Sequence, residues 1–313
     1  MNGSVSVIIP NYNGTEHLRE CMDSLLNQTY KDFDITVVDN SSTDDSVSFI
    51  KNNYHTVKII RLDKNYGFAR AVNEGIKDAL QKEDTKFILL LNNDIVCCDN
   101  FIEYFLTAFI NDNIYSAACR MLNYYNRGII DDCGIMLNKF GHPYARGHGE
   151  TDENQYLTGT GITGCCAGAG LYRCEVFEKI GLFDEDFIAY YEDVDMAIRI
   201  KLYGKECMFA GEAVCYHKRG GSYGKIKYYD TVMCSRNLVS LWAKYYPAGI
   251  PAGKLHLFFE GELRRYYHLL KNSEIKEALY SLKGLLSGLI NIPLMISKRN
   301  KIVTGNPVYS ELL

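Results

Sequence analysis

The chain has 313 residues, 47% of them apolar and 23% charged, with only 6 prolines. That composition excludes wholesale disorder and fibrous repeats, and the length leaves room for about two domains. The net charge of −4 argues against a generally basic nucleic-acid binder.

The charge is unevenly placed. Residues 1–217 carry 19 Lys/Arg and 32 Asp/Glu, a net of −13, whereas residues 218–313 carry 15 and 6, a net of +9. A basic final third suits a membrane surface, a lipid-linked phosphate or another protein, or else attraction to the acidic body of the same chain. Eleven cysteines include the adjacent pairs Cys97-Cys98 and Cys165-Cys166 but no C-x-x-C spacing. They read as small buried hydrophobes in a reducing compartment rather than a zinc site or a disulfide framework. Val5–Pro10 is too short, and lacks the basic flank, for a signal peptide. A cytoplasmic location is therefore expected.

In chain order, Ser4–Pro10 reads as a buried strand, followed by a helix with Leu18, Met22, Leu25 and Leu26 at helical spacing. Phe33–Asp39 is a second strand, and Ser42 or Thr43 is expected to cap a helix across Asp44–Lys51. Val57–Leu62 is a third strand, Gly67–Leu80 a helix and Lys86–Asn92 a fourth strand. Strands without alternation, each followed by a helix, predict a mostly parallel central sheet covered on both faces. Asp131–Tyr156 reads as a long loop or hairpin, 165–173 as a strand of small residues, and Ala213–His217 as a short strand. A helix follows Glu192-Asp193-Val194-Asp195 to Gly204, and the chain beyond Tyr228 is helical.

Parallel sheets bind ligands at the carboxyl ends of their strands. Here those ends are Pro10-Asn11-Tyr12-Asn13-Gly14, Asp39-Asn40-Ser41-Ser42, Asn65-Tyr66-Gly67 and Asn92-Asn93-Asp94. One polar loop is a turn, but four on one rim make a site. Asp94 at a strand end suits Mg²⁺ or Mn²⁺, which usually keep substrate phosphates as further ligands. His217 could supply a second ligand or be structural. Glu192 and Asp193 at a helix start either answer the helix dipole or provide a general base of raised pKa. Gly159–Gly164 matches G-x-G-x-x-G, but a strand follows it and it lies far from the first strand. A loop over the site is expected there rather than a dinucleotide fold.

SVIIPNYNG, VVDNSSTDDS, NYGFARAVNEG, LLLNND, GLFDEDFIAYYEDVDMAIR and YHKRGGS occur in this order. Together they resemble glycosyltransferase family 2, the inverting enzymes of the GT-A fold, and most of all its bacterial rhamnosyltransferase-type members. The resemblance spans about Val5 to Pro247. It implies an α/β GT-A fold, with a catalytic domain over 1–228 and a C-terminal helical, basic region over 229–313. The nucleotide-binding half would be about 1–100 and the acceptor-binding half about 101–228.

The resemblance also implies roles. Pro10, Asn11, Tyr12 and Asp39 would contact the base, and Asn65, Gly67, Phe68 and Arg70 would lie by the nucleotide. The D-x-D motif falls on Asn92-Asn93-Asp94. Asn stands in place of its first carboxylate, leaving Asp94 as the metal carboxylate and Asn92 and Asn93 as nucleotide-sugar contacts. His217 would complete the metal site. Asp193 would be the catalytic base, with Glu192 and Tyr191 beside the acceptor. The implied partners are a nucleotide-diphosphate sugar, with thymidine-diphosphate rhamnose or a uridine-diphosphate hexose as donor, and a glycan or lipid-linked acceptor. A nucleotidyltransferase would want a basic loop after the first strand, which Asn11–Gly14 lacks. A non-catalytic subunit is the remaining alternative, suggested by Asn92.

Leu285–Ile296 is an apolar run of twelve residues followed by Lys298-Arg299. It is too short to span a bilayer, which takes about 20 apolar residues. A helix packed on the catalytic domain and an interfacial helix on the inner face of the membrane are both open readings.

Overall fold

The computed structural model describes residues 4–156, 161–219, 227–245 and 255–299. The first hundred residues build a parallel half-sheet. Strand β1 (Ser4–Asn11) pairs in parallel with β2 (Phe33–Asp39) and with β4 (Thr85–Leu91), and β2 pairs in parallel with β3 (Lys58–Arg61). Helices α1 (Thr15–Leu26), α2 (Ser46–Asn53) and α3 (Phe68–Ala79) make the connections. Val5, Val7 and Ile9 of β1 enter one buried cluster and Ile8 enters a second. Burial on both faces is why β1, β2 and β4 show no alternation, whereas β3 at the sheet edge leaves Lys58 and Arg61 exposed.

Beyond β4 the sheet is mixed. Short β5 (Ile95–Cys97) and helix α4 (Phe101–Leu106) lead into β6 (Ile114–Asn123) and β7 (Ile130–Asp132). A small hairpin, β8 (Ile135–Leu137) with β9 (Pro143–Ala145), occupies part of the stretch read as loop or hairpin. Strand β10 (Ala169–Arg173) lies antiparallel between β4 and β6. After α5 (Cys174–Lys179), a 3-10 turn at Glu185–Phe187 and α6 (Glu192–Leu202), β11 (Glu206–His217) runs parallel to β6. The order is β3-β2-β1-β4-β10-β6-β11-β5. The parallel arrangement expected from the sequence therefore covers the first four strands. β5 and β7 are too short to carry a readable period.

The cap expected for α2 is placed differently. The helix starts at Ser46, one residue after Asp45, with no side-chain cap bond. Ser42 Oγ instead accepts hydrogen bonds from the Asn13 N–H at 3.0 Å and from Asn11 Nδ2 at 3.2 Å, latching the turn after β1. All eleven cysteines are free thiols.

The chain divides into two compact units. One comprises 1–136, 145–188 and 192–225, and the other 137–144, 189–191 and 226–313. The second unit contains helices α7 (Tyr229–Tyr245), α8 (Leu255–Lys271), α9 (Ile275–Ile290) and α10 (Ile292–Arg299). The apolar run Leu285–Ile296 is thus divided between two helices, which meet at a 53° bend. No single helix among the described residues is long and apolar enough to cross a membrane.

Candidate functional site

The carboxyl ends of β1, β2 and β4 lie side by side, because the register sets Asn11 opposite Asp39 and Ile8 opposite Leu90. Asp39 is almost fully buried. Its oxygens lie 3.4 and 3.3 Å from the Ser42 N–H nitrogen, and Oδ2 is 3.5 Å from Arg61 Nε. Asn40 is a hub. Its Nδ2 donates to Asn65 Oδ1 at 2.9 Å and to the Gly67 carbonyl at 3.0 Å, while its Oδ1 accepts from the Tyr66 N–H at 2.9 Å.

Gly67 has φ +87°, and a Cβ there would lie 2.6 Å from Ile188 Cγ2 and 2.8 Å from its carbonyl oxygen. Only glycine fits that turn. The Ile188 carbonyl also accepts from the Ala69 N–H at 3.0 Å, at the start of α3. Arg70 stacks on Tyr66 at 3.9 Å and lies 3.9 Å from Glu185.

Asn11 and Asn93 hold one another, with Asn93 Nδ2 donating to Asn11 Oδ1 at 2.7 Å. Both are buried, whereas Pro10 and Tyr12 are half-buried beside them. The Asn92 N–H donates to the Gly168 carbonyl at 2.8 Å, tying β4's end to the turn before β10.

Asp94 and His217 come from the ends of β4 and β11, and the structure brings them together: His217 Nε2 is 3.4 Å from Asp94 Oδ1. The Lys218 N–H donates to the Asp94 carbonyl at 3.0 Å, fixing the two strand ends. The other ring nitrogen, His217 Nδ1, is 2.7 Å from Asp131 Oδ2. Asp131, at the middle of β7, also pairs with Arg219 and lies 3.7 Å from His148 Nδ1. Burial pushes the Asp94 and Asp131 carboxyls up, but His217 and, for Asp131, Arg219 outweigh it and hold both below the usual value. Burial alone would lower the His217 imidazole, yet its bonds to the two carboxylates carry it up to about 9. Lys218 is engaged by Glu20 at 2.7 Å.

The second carboxylate group opens α6. Asp193 Oδ2 accepts from the Ala167 N–H at 3.2 Å and Oδ1 from the Val194 N–H at 2.8 Å. Burial raises its pKa against those donors. Glu192 is more strongly raised, by burial and then by Asp193, and its Oε2 has no hydrogen-bond partner among the described residues. Asp132 is pushed up to about 7, first by burial and then, against a Gly134 N–H bond, by Asp193 and Asp131. Asp195 takes a structural part. It is fully buried on Arg199 at 2.9 Å, and Arg199 also binds the carbonyls of Ile180, Gly181 and Leu182.

Tyr191 belongs to the second unit, where it packs on Leu238 and Val239 of α7. Tyr190 and Tyr191 have φ of 67° and 68°, a left-handed conformation uncommon for bulky residues. Asn237 Nδ2 of α7 donates to the Ala189 and Tyr190 carbonyls at 2.9 and 2.7 Å. In the glycine motif, Gly159-Thr160 lies outside the described residues. Thr163 donates its N–H to Ile135 at 2.7 Å, and β10 rather than a helix follows.

Asp94 and His217 fit a hard divalent cation. Among the described residues no group of three or more His, Cys, Asp or Glu could hold a metal alone. Two such side chains would leave the other positions of a cation to phosphate and water, the usual habit of Mg²⁺. Asp131, Asn40 and Asn237 were not singled out from the sequence. Asp131 opens an Asp-Asp pair, the one local hint that existed.

Residues 6–181 match the profile described as Glycosyl transferase family 2. The chain is 26% identical over 234 residues to O-antigen biosynthesis protein RfbC of Myxococcus xanthus, covering 70% of this chain and 17% of that protein. Among solved structures it is similar to S. aureus TarS 1–349 in complex with UDP-GlcNAc (TM-score 0.60, 18% identity, 96% of this chain and 84% of that one). It is also similar to the mannosyltransferase PcManGT from Pyrobaculum calidifontis in complex with GDP-Man and Mn²⁺ (TM-score 0.58, 15% identity, 99% and 83%). The fold is that of these GT-A transferases. With the profile covering more than half of its length, this chain belongs to glycosyl transferase family 2.

Proposed function

We propose that this glycosyltransferase moves a sugar from a nucleotide-diphosphate donor to a hydroxyl of a surface-polysaccharide or lipid-linked glycan acceptor, with inversion at the anomeric carbon. The observation that carries the reading is the meeting of Asp94 and His217 on the rim that also presents Asp39. Asp94 and His217 would hold Mg²⁺ or Mn²⁺, which when bound offsets the charge growing on the departing diphosphate. Asp39 and the Asn65–Gly67 turn would receive the nucleotide, with Arg70 close by. TarS carries UDP-GlcNAc on the same fold, which supports a uridine donor beside thymidine-diphosphate rhamnose.

Asp193 would take the proton of the attacking hydroxyl. Its burial favours the protonated form, which makes the carboxylate a better base. The Ala167 and Val194 N–H groups fix the carboxylate's direction. Glu192, whose pKa is raised by burial and then by Asp193, would face the acceptor, with Tyr191 preceding it in the chain. No nucleophilic side chain is required for direct displacement.

Donor hydrolysis across a panel of sugar nucleotides, with Mn²⁺, with Mg²⁺ and with chelator, tests the reading. One donor turned over only with metal is the expected result. Failure of every nucleotide diphosphate to bind in the presence of metal would favour a non-catalytic subunit, the alternative that Asn92 suggests.

A further inference from the structure

Helix α9 is built inside out for a helix facing water. Its buried positions are Ala278, Ser281, Gly284 and Gly288. Its outward positions are Ile275, Leu279, Leu282, Leu286 and Leu289, which are 46–61% exposed. The small face is a true packing face. A Cβ on Gly284 would come within 2.3 Å of the Val232 carbonyl oxygen, and one on Gly288 within 2.7 Å of the Arg236 carbonyl oxygen. Helix α9 therefore lies against the backbone of α7. In water, the leucine face should be the one that packs. Close contact through small residues at a Gly-x-x-x-Gly spacing, with leucines left outside, is the arrangement helices adopt where lipid is the solvent.

The same character continues beyond this helix. Of the 19 large hydrophobic residues exposed among the described residues, 13 fall between Phe259 and Ile296. Exposed apolar side chains are thus concentrated on helices α8, α9 and α10.

The charges choose the occupant. At 3.6 residues per turn, Lys276 and Lys283 fall along one edge of the leucine stripe, while Glu277 falls on the opposite side. Both lysines are exposed, and Glu277 is half-buried. A second copy packed antiparallel along this stripe would bring lysine against lysine. Anionic headgroups complement it. No single helix among the described residues is long and apolar enough to cross a bilayer, and the apolar face of α9 edged by lysines is the pattern of a helix lying in the headgroup layer.

We propose that the leucine face of α9 docks this protein on an anionic lipid bilayer surface, with Lys276 and Lys283 at the headgroups. The inference rests on no step of the transferase reading.

Flotation of the full chain with phosphatidylcholine vesicles, and with vesicles also containing phosphatidylglycerol, tests it. The protein is expected to float with the anionic vesicles. Leu282→Gln with Leu286→Gln should weaken that binding at least about tenfold, since two leucines then leave the apolar layer. Lys276→Glu with Lys283→Glu should weaken binding to anionic vesicles and leave any binding to neutral ones unchanged. Equal melting temperatures without lipid would show that the variants fold. Absence of flotation, or flotation unchanged in the leucine pair, overturns the proposal. So does a lipid-free dimer that the leucine pair converts to monomer without vesicle binding, because a second copy then covers the face. Donor hydrolysis measured without vesicles separates failure of the docking from failure of the transferase reading.

Discussion

Asp131 and His217 are 86 residues apart in the chain, yet Asp131 Oδ2 lies 2.7 Å from His217 Nδ1. With Nδ1 engaged, Nε2 is turned to Asp94 at 3.4 Å. A carboxylate behind a ligating histidine fixes its tautomer and ring direction, and removal of such a partner typically weakens metal affinity about 10–100-fold. Asp131→Asn is expected to weaken Mn²⁺ binding by about that factor, read by electron paramagnetic resonance with nucleotide diphosphate present. Unchanged affinity would detach Asp131 from the cation site.

The same pair sets a pH dependence. His217 titrates at about 9 in the folded protein, against about 6.5 for an unperturbed histidine. A raised folded value means that this contribution to stability is fully present below about pH 6.5 and is lost as pH rises through about 9. Metal binding requires the neutral imidazole. Melting of the metal-free protein should therefore weaken over that window while apparent Mn²⁺ affinity climbs about tenfold per pH unit. An affinity flat from pH 6.5 to 9 would remove His217 as a ligand.

Asp193→Asn should lower kcat by about 10²–10⁴-fold, the usual worth of a general base, with donor binding retained. Because burial raises the Asp193 pKa, the wild-type rate should fall as pH drops through a value above the ordinary aspartate range. Near-normal turnover of the variant would take Asp193 out of that role.

Asn40→Ala removes the amide that ties the end of β2 to the Asn65–Gly67 turn. Each buried group left unpaired costs about 1–3 kcal/mol. A urea midpoint well below wild type is expected, together with weaker nucleotide binding. Wild-type stability would show that the turn keeps its shape without Asn40.

Much of this was legible in the residues. Strands β1, β2 and β4 announce themselves as short apolar runs, and the polar tails after them mark the rim. Asp94, Asp193 and His217 stand at the ends of elements that can be read locally, so they could be named. Asp131 could not. It lies in a stretch rich in glycine, histidine and arginine, and nothing in that stretch points to a histidine on β11. Asn40 was visible as one polar residue among four, and its three bonds exist only because β3 brings the following turn back beside β2.

Local chemistry determines which segments become strand or helix, because side-chain period and turn residues act within about ten residues. The sheet's mixed direction beyond β4, the Asp94–His217–Asp131 line and the outward leucines of α9 depend on which distant segments pack together. The sequence of α9 shows one face of leucines and one of small residues, and water would bury the leucines. The close fit of Gly284 and Gly288 against α7 reverses that choice, since close backbone contact admits glycine and excludes leucine.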